Sequence, residues 1–182
     1  MARASMAALI TQVRLLIGDP AGASATFSDD ELQSFLDNNA ADVFYEPLTP
    51  EPTIAAGGAT QYLTWRAGAP WWEASEVLTD GSYNVLTVAT ADRQRGRWTF
   101  GESQSAVLIR GARYDVYLAG AEAVDVWLAK VKLAYDFSAD GGDYKRSQQV
   151  KTLQELGASL RAKAGGGGAL VAQLVRDDIV AQ

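Results

Sequence analysis

The 182-residue chain is 48% hydrophobic and 21% charged, a composition that supports one sizeable core and excludes wholesale disorder. It has neither cysteine nor histidine, which excludes disulfides, thiolate and Ser-His chemistry and the usual zinc and non-haem iron sites, so only carboxylates, Lys, Tyr and Ser remain for catalysis. A net charge of −6 is opposite in sign to what gripping phosphates by counterion release requires.

No apolar run approaches the roughly 20 residues of a membrane span. The opening Met1-Ala-Arg-Ala-Ser5 leads into an amphipathic pattern rather than a signal-peptide core, so the expectation is a soluble, unexported protein with no membrane partner. Met6, Leu9, Ile10, Val13, Leu16 and Ile17 recur at three and four, the face of a first helix, which Gly18-Asp19-Pro20 ends. Ser28-Asp-Asp-Glu31 has the form of a capping box opening a second helix with Leu32, Phe35 and Leu36 inward, ending between Asn39 and Tyr45. The prolines of Glu46-Pro-Leu-Thr-Pro-Glu-Pro52, followed by Gly57-Gly58, forbid a helix and mark a change of architecture.

From Thr60 to about Arg110 short β-branched or aromatic runs alternate with turn signals. Tyr62 to Trp65, Val77 to Thr79, Tyr83 to Val88, Arg97 to Phe100 and Ala106 to Ile109 are predicted as the strands of a β insertion. Helical periodicity returns at Tyr114 and continues through Tyr117, Ala121, Val124, Leu128, Val131 and Tyr135 in alternating steps of three and four. Asp140-Gly-Gly142 stops it and Asp143 is placed to cap a fourth helix with Val150, Leu153, Leu156 and Leu160 on its face, so these two helices pair as an antiparallel hairpin. Gly157, on or beside that face, permits close approach at a propensity cost of about 1 kcal/mol. Gly165 to Gly168 reads as a hinge, and beyond it Leu170, Val171, Leu174, Val175, Ile179 and Val180 are too apolar for a tail meant to stay in water. The prediction is a mainly α fold: a four-helix core of two N-terminal helices plus a long antiparallel helical hairpin, with a small antiparallel β insertion and a flexible C-terminal arm. A single domain covers 1–164, interrupted by the insertion at 60–110, and the arm covers 165–182.

The helical segments also carry a likeness. Tyr114-Asp115 and the Ala-rich helix after it, Tyr135-Asp-Phe-Ser138, Tyr144-Lys-Arg-Ser-Gln148 and Leu153 to Arg161 resemble the helical hairpin of the head-tail connector (adaptor) proteins of tailed bacteriophages. Ile17-Gly-Asp19, a loop and Phe27-Ser-Asp-Asp-Glu-Leu32 are similar to that family's N-terminal half. No one motif is specific; their order and spacing carry the resemblance over about two thirds of the chain, and the tryptophan-rich 60–110 segment is longer than a minimal connector needs. The resemblance implies a structural virion protein, not an enzyme, with no cofactor or metal. Such a protein forms a ring of about twelve neighbouring copies under the portal protein, joins it to a downstream neck or tail protein, and surrounds genome DNA that only passes through the lumen. Its location would be the virion neck, after the host cytoplasm. By the same resemblance Leu170, Val171, Leu174, Val175, Ile179 and Val180 belong to a portal-docking arm.

Other candidates have plainer readings beside the sharp ones. Asp29, Asp30 and Glu31 fit a helix N-terminus better than a metal site, Asp177 and Asp178 fit solvated charges, and Gly165 to Gly168 lacks the Lys-Ser/Thr of a phosphate loop. If Trp71-Trp72 is extended, its two rings point to opposite faces. Trp71 and Trp72, with Arg93 and Arg95 at a turn tip and Lys145 and Arg146 at the start of the fourth helix, are therefore candidates for contact with another subunit or a neck protein, against burial in a core or plain solvation. A competing function is a cellular binding module whose tryptophan-rich insertion captures a polysaccharide or peptide.

Overall fold

The apolar stripes form helices where their periodicity places them. The computed structural model describes residues 1–132, 137–139, 142–144 and 146–165. A 3-10 turn, Ala4–Met6, leads into α1 (Ala7–Ile17), which Gly18 closes in the left-handed conformation at φ 70°. α2 (Asp29–Asn38) begins with the expected capping box: Ser28 Oγ accepts the Glu31 N–H at 3.2 Å, and Glu31 Oε2 accepts the Ser28 N–H at 2.7 Å. The hydrogen bonds from the Ser28 backbone and hydroxyl hold the Glu31 carboxyl below its ordinary pKa. Replacing Ser28 with Ala is expected to lower stability by about 1 kcal/mol, read as a shift of the urea midpoint at unchanged slope.

Between α2 and the next helix the chain is entirely strand and turn: β1 (Ala40–Pro47), β2 (Thr49–Ile54), β3 (Thr60–Arg66), β4 (Val77–Thr79), β5 (Val88–Asp92), β6 (Arg97–Phe100) and β7 (Leu108–Tyr114). They form two antiparallel sheets, ordered β1-β7-β4 and β2-β3-β6-β5. α3 (Val116–Lys132) follows, then a β-hairpin of β8 (Phe137–Ala139) and β9 (Gly142–Tyr144), then α4 (Arg146–Gly165).

The fold is therefore mixed, four α-helices with two antiparallel sheets and a separate β-hairpin among the described residues, and not the mainly α four-helix architecture expected. Strand structure reaches from Ala40 to Tyr114, well beyond 60–110, because the prolines are tolerated rather than disruptive. Pro47 ends the edge strand β1, and Pro50 and Pro52 lie in the edge strand β2, where a missing N–H costs no ladder bond. Tyr114 ends β7 instead of opening the helix. Asp115 supplies the cap, its Oδ1 accepting the N–H groups of Tyr117 and Leu118 at 3.0 Å. Asp143 pairs with Ser138 in the β8–β9 ladder, so it does not occupy the cap position expected for it.

Two apolar clusters divide the interior. Met6, Leu9, Ile10, Val13 and Ile17 meet Phe27, Leu32 and Leu36, the buried face of α3 at Ala121 and Val124, and Leu153 and Leu160 of α4. α3 and α4 run antiparallel and close. A Cβ on Gly120 would lie 3.4 Å from Leu160 Cδ1, and one on Gly157 3.4 Å from Val124 Cγ1. The second cluster fills the sheet region with Trp65, Trp72, Trp98, Phe100, Leu78, Val107 and Ile109.

Candidate interaction surface

At the edge of the helical cluster lies a buried carboxylate. Glu73, 6% exposed, accepts hydrogen bonds from Ser5 Oγ at 2.5 Å, Tyr114 Oη at 2.7 Å and Arg3 Nε at 3.2 Å. Arg3 also reaches Asp37 of α2 at 2.7 Å. The N-terminal segment and β7 thus converge on Glu73, and Arg3 ties them to α2. Burial pushes the Glu73 carboxyl up, but the donors from Ser5 and Tyr114 and the Arg3 guanidinium outweigh it, so its pKa lies below the ordinary value. Burial and the bond to Glu73 raise the Tyr114 phenol. A depressed carboxylate stabilises the fold above its unfolded pKa, about 4.3 for Glu, and that contribution disappears as pH falls through the folded value. Glu73→Gln is expected to cost about 1–3 kcal/mol at neutral pH, with the gap to the wild type closing in acid. Urea midpoints between neutral and acid pH measure this.

Beside this junction lie two grooves that share the loop Gly68, Ala69 and Pro70. One, of about 440 Å³, is lined by Arg66 of β3, Arg97 of β6, and Gln94 and Arg95 of the turn between β5 and β6, with Glu51 opposite. The other, of about 470 Å³, is lined by Trp71, Arg113 of β7, Tyr117 of α3 and Lys163 of α4, with Asn39 and Asp115. Arg97 pairs with Glu51 at 2.5 Å and Arg95 with Asp92 at 3.7 Å. Among the described residues no ion pair engages Arg66, Arg113 or Lys163. Trp71 holds φ 66°, a conformation costing of order 1–3 kcal/mol for a bulky residue. It is retained because the Tyr114 N–H binds the Trp71 carbonyl at 2.9 Å and the Trp72 N–H binds the Arg93 carbonyl at 3.1 Å.

The tryptophan pair is not an extended strand, since Trp71 holds a positive φ, and its two rings join different clusters. Trp72, 2% exposed, packs edge-on against Trp98 inside the sheets, while the half-buried Trp71 packs edge-on against Tyr117 on the helical side. Burial of Trp65, Trp72 and Trp98 leaves no row of exposed tryptophans for a sugar to stack on. Arg93 is committed inward, its Nε donating to Glu76 Oε2 at 2.8 Å, whereas Arg95 is exposed on the groove rim. Lys145 lies outside the described residues, as do the side chain of Arg146 and the arm residues Leu170, Val171, Leu174, Val175, Ile179 and Val180. Asp29, Asp30 and Glu31 occupy the first turn of α2, in keeping with the dipole reading, and no acidic cluster suited to a metal occurs among the described residues.

No sequence signal marks Arg66, Arg113 and Lys163, which come from three segments far apart in the chain. None marks the exposed aromatic pair Tyr45 and Tyr83 either, whose rings meet edge-on with centroids 4.9 Å apart, next to the 79% exposed Phe44. The register shift between Val43 and Glu46, a bulge that re-aims neighbouring side chains, had no sequence signal apart from its aromatics. No family model, curated protein or solved structure matches the chain.

Proposed function

We propose that this chain is a structural head-tail adaptor of a tailed bacteriophage, with no catalytic role. In this reading it assembles as a ring beneath the portal protein, joins it to the next neck or tail protein, and lines part of the conduit through which genome DNA slides. The observation that carries the proposal is the meeting of the segments that bear the resemblance. α1, α2, α3 and α4, separated in the chain by the whole β region, share one apolar core. The apolar-rich residues 169–182, which follow the glycine run in the sequence, would reach the portal, and the net charge of −6 would discourage passing DNA from sticking.

Burial of three of the five tryptophans weighs against the competing reading of a carbohydrate-capturing module. The test is a binding measurement between portal and either the full chain or a chain truncated after Gly165. Retention of portal by the full chain and its loss on truncation supports the adaptor role. A full chain that leaves the portal unbound removes it.

A further inference from the structure

We propose that the paired grooves around Gly68–Pro70 form a docking surface for the acidic surface of a second copy of this chain, in a head-to-tail contact. Five cations, Arg66, Arg95, Arg97, Arg113 and Lys163, converge on one short loop in an acidic protein. They come from three strands and one turn of the sheet region and from α4, so the fold gathers them. Of the chain's 16 basic and 22 acidic residues, these five and the acids Glu51 and Asp115 line the grooves. The rest of the chain therefore carries 20 acids against 11 bases.

Charge complementarity favours a like copy over a nucleic acid as the occupant. A polyphosphate would meet the groove's positive field but also Glu51 and Asp115, and the remainder of the molecule would repel it. A second copy offers exposed carboxylates such as Asp42 and Glu102, and the half-buried ring of Trp71 adds apolar area to the groove of Arg113 and Lys163, as at the core of protein interfaces. Groove and acidic surface are different patches, so the contact is heterologous and propagates from copy to copy, closing where the rotations sum to a full turn. The inference rests on the adaptor reading for why the assembly should close into a ring. The contact itself is testable without a portal.

Sedimentation velocity of the full chain, at concentrations rising to about 100 µM, in about 20 mM and about 500 mM salt, measures it. The expected result is association at low salt that dissolves at high salt. The double charge reversal Arg66→Glu with Lys163→Glu, both exposed positions, should weaken association about ten-fold or more while leaving the circular dichroism spectrum unchanged. The single reversal Arg95→Glu should have a smaller effect in the same direction. Mixed in excess with the wild type, the double variant should cap growing chains, because its acidic surface is intact. The proposal falls if the wild type stays monomeric throughout, if the folded double variant associates like the wild type, or if the groove binds a DNA duplex and no second copy. Portal binding read separately distinguishes the two failures: a monomer that still binds portal loses only the groove contact, while an associating chain that ignores portal loses only the adaptor role.

Discussion

Replacing Trp98 with alanine is expected to remove about 3–5 kcal/mol of stability, a large share of the roughly 5–15 kcal/mol that holds a domain folded. The residue is fully buried, and its ring packs edge-on against Trp72 with centroids 5.7 Å apart. Its Nε1 donates to Glu76 Oε1 at 2.9 Å, and the other oxygen of that carboxylate is held by Arg93. Alanine therefore opens a cavity and strips a donor from a carboxylate whose side chain is 2% exposed. Trp98→Phe keeps much of the volume and loses only the donor, so it should cost visibly less. Urea unfolding followed by far-ultraviolet circular dichroism measures both. Equal losses in the two variants would mean that the cavity is not the main cause.

Arg14→Met is expected to cost a comparable amount, about 3–5 kcal/mol, because it abandons a buried partner charge. The Arg14 guanidinium, largely buried, donates to Asp19 Oδ2 at 3.1 Å, to the Phe27 carbonyl at 2.8 Å and to Asp29 Oδ1 at 2.7 Å. Asp19, 3% exposed, also accepts the N–H groups of Thr26 and Phe27. This pair folds the loop between α1 and α2 and sets the two helices against each other. Adding Asp19→Asn to Arg14→Met should cost less than the sum of the single changes, since the neutral amide no longer needs the cation. Additive losses in that cycle would show that the two groups act independently.

The four helices were legible because burial imposes a 3.6-residue stripe and because Ser28 and Glu31 announce a start by their own hydrogen bonds. The sheets were legible in kind but not in extent. Prolines at 47, 50 and 52 look like breakers until it is known that their strands are edges, and edge status is a property of the whole sheet. Tyr83 to Val88 has strand-like composition, yet Asp80 Oδ1 accepts the N–H groups of Ser82 and Asn84 at 2.8 and 2.9 Å. That side-chain turn delays the strand to Val88. Tyr114 fitted the helical period while serving as the last residue of β7, since one aromatic side chain satisfies either pattern. For the candidate surface, Arg95 was legible as part of a run of closely spaced arginines. Arg66, Arg113 and Lys163 were not, because only the three-dimensional path of the chain brings them to the same loop.

Electron microscopy of the intact chain mixed with its cognate portal tests the central claim most directly. The adaptor account predicts a closed ring seated on one face of the portal, with α3 and α4 of every copy resolved around an open lumen. Bare portals beside free monomers, under conditions where the chain is folded, would contradict it.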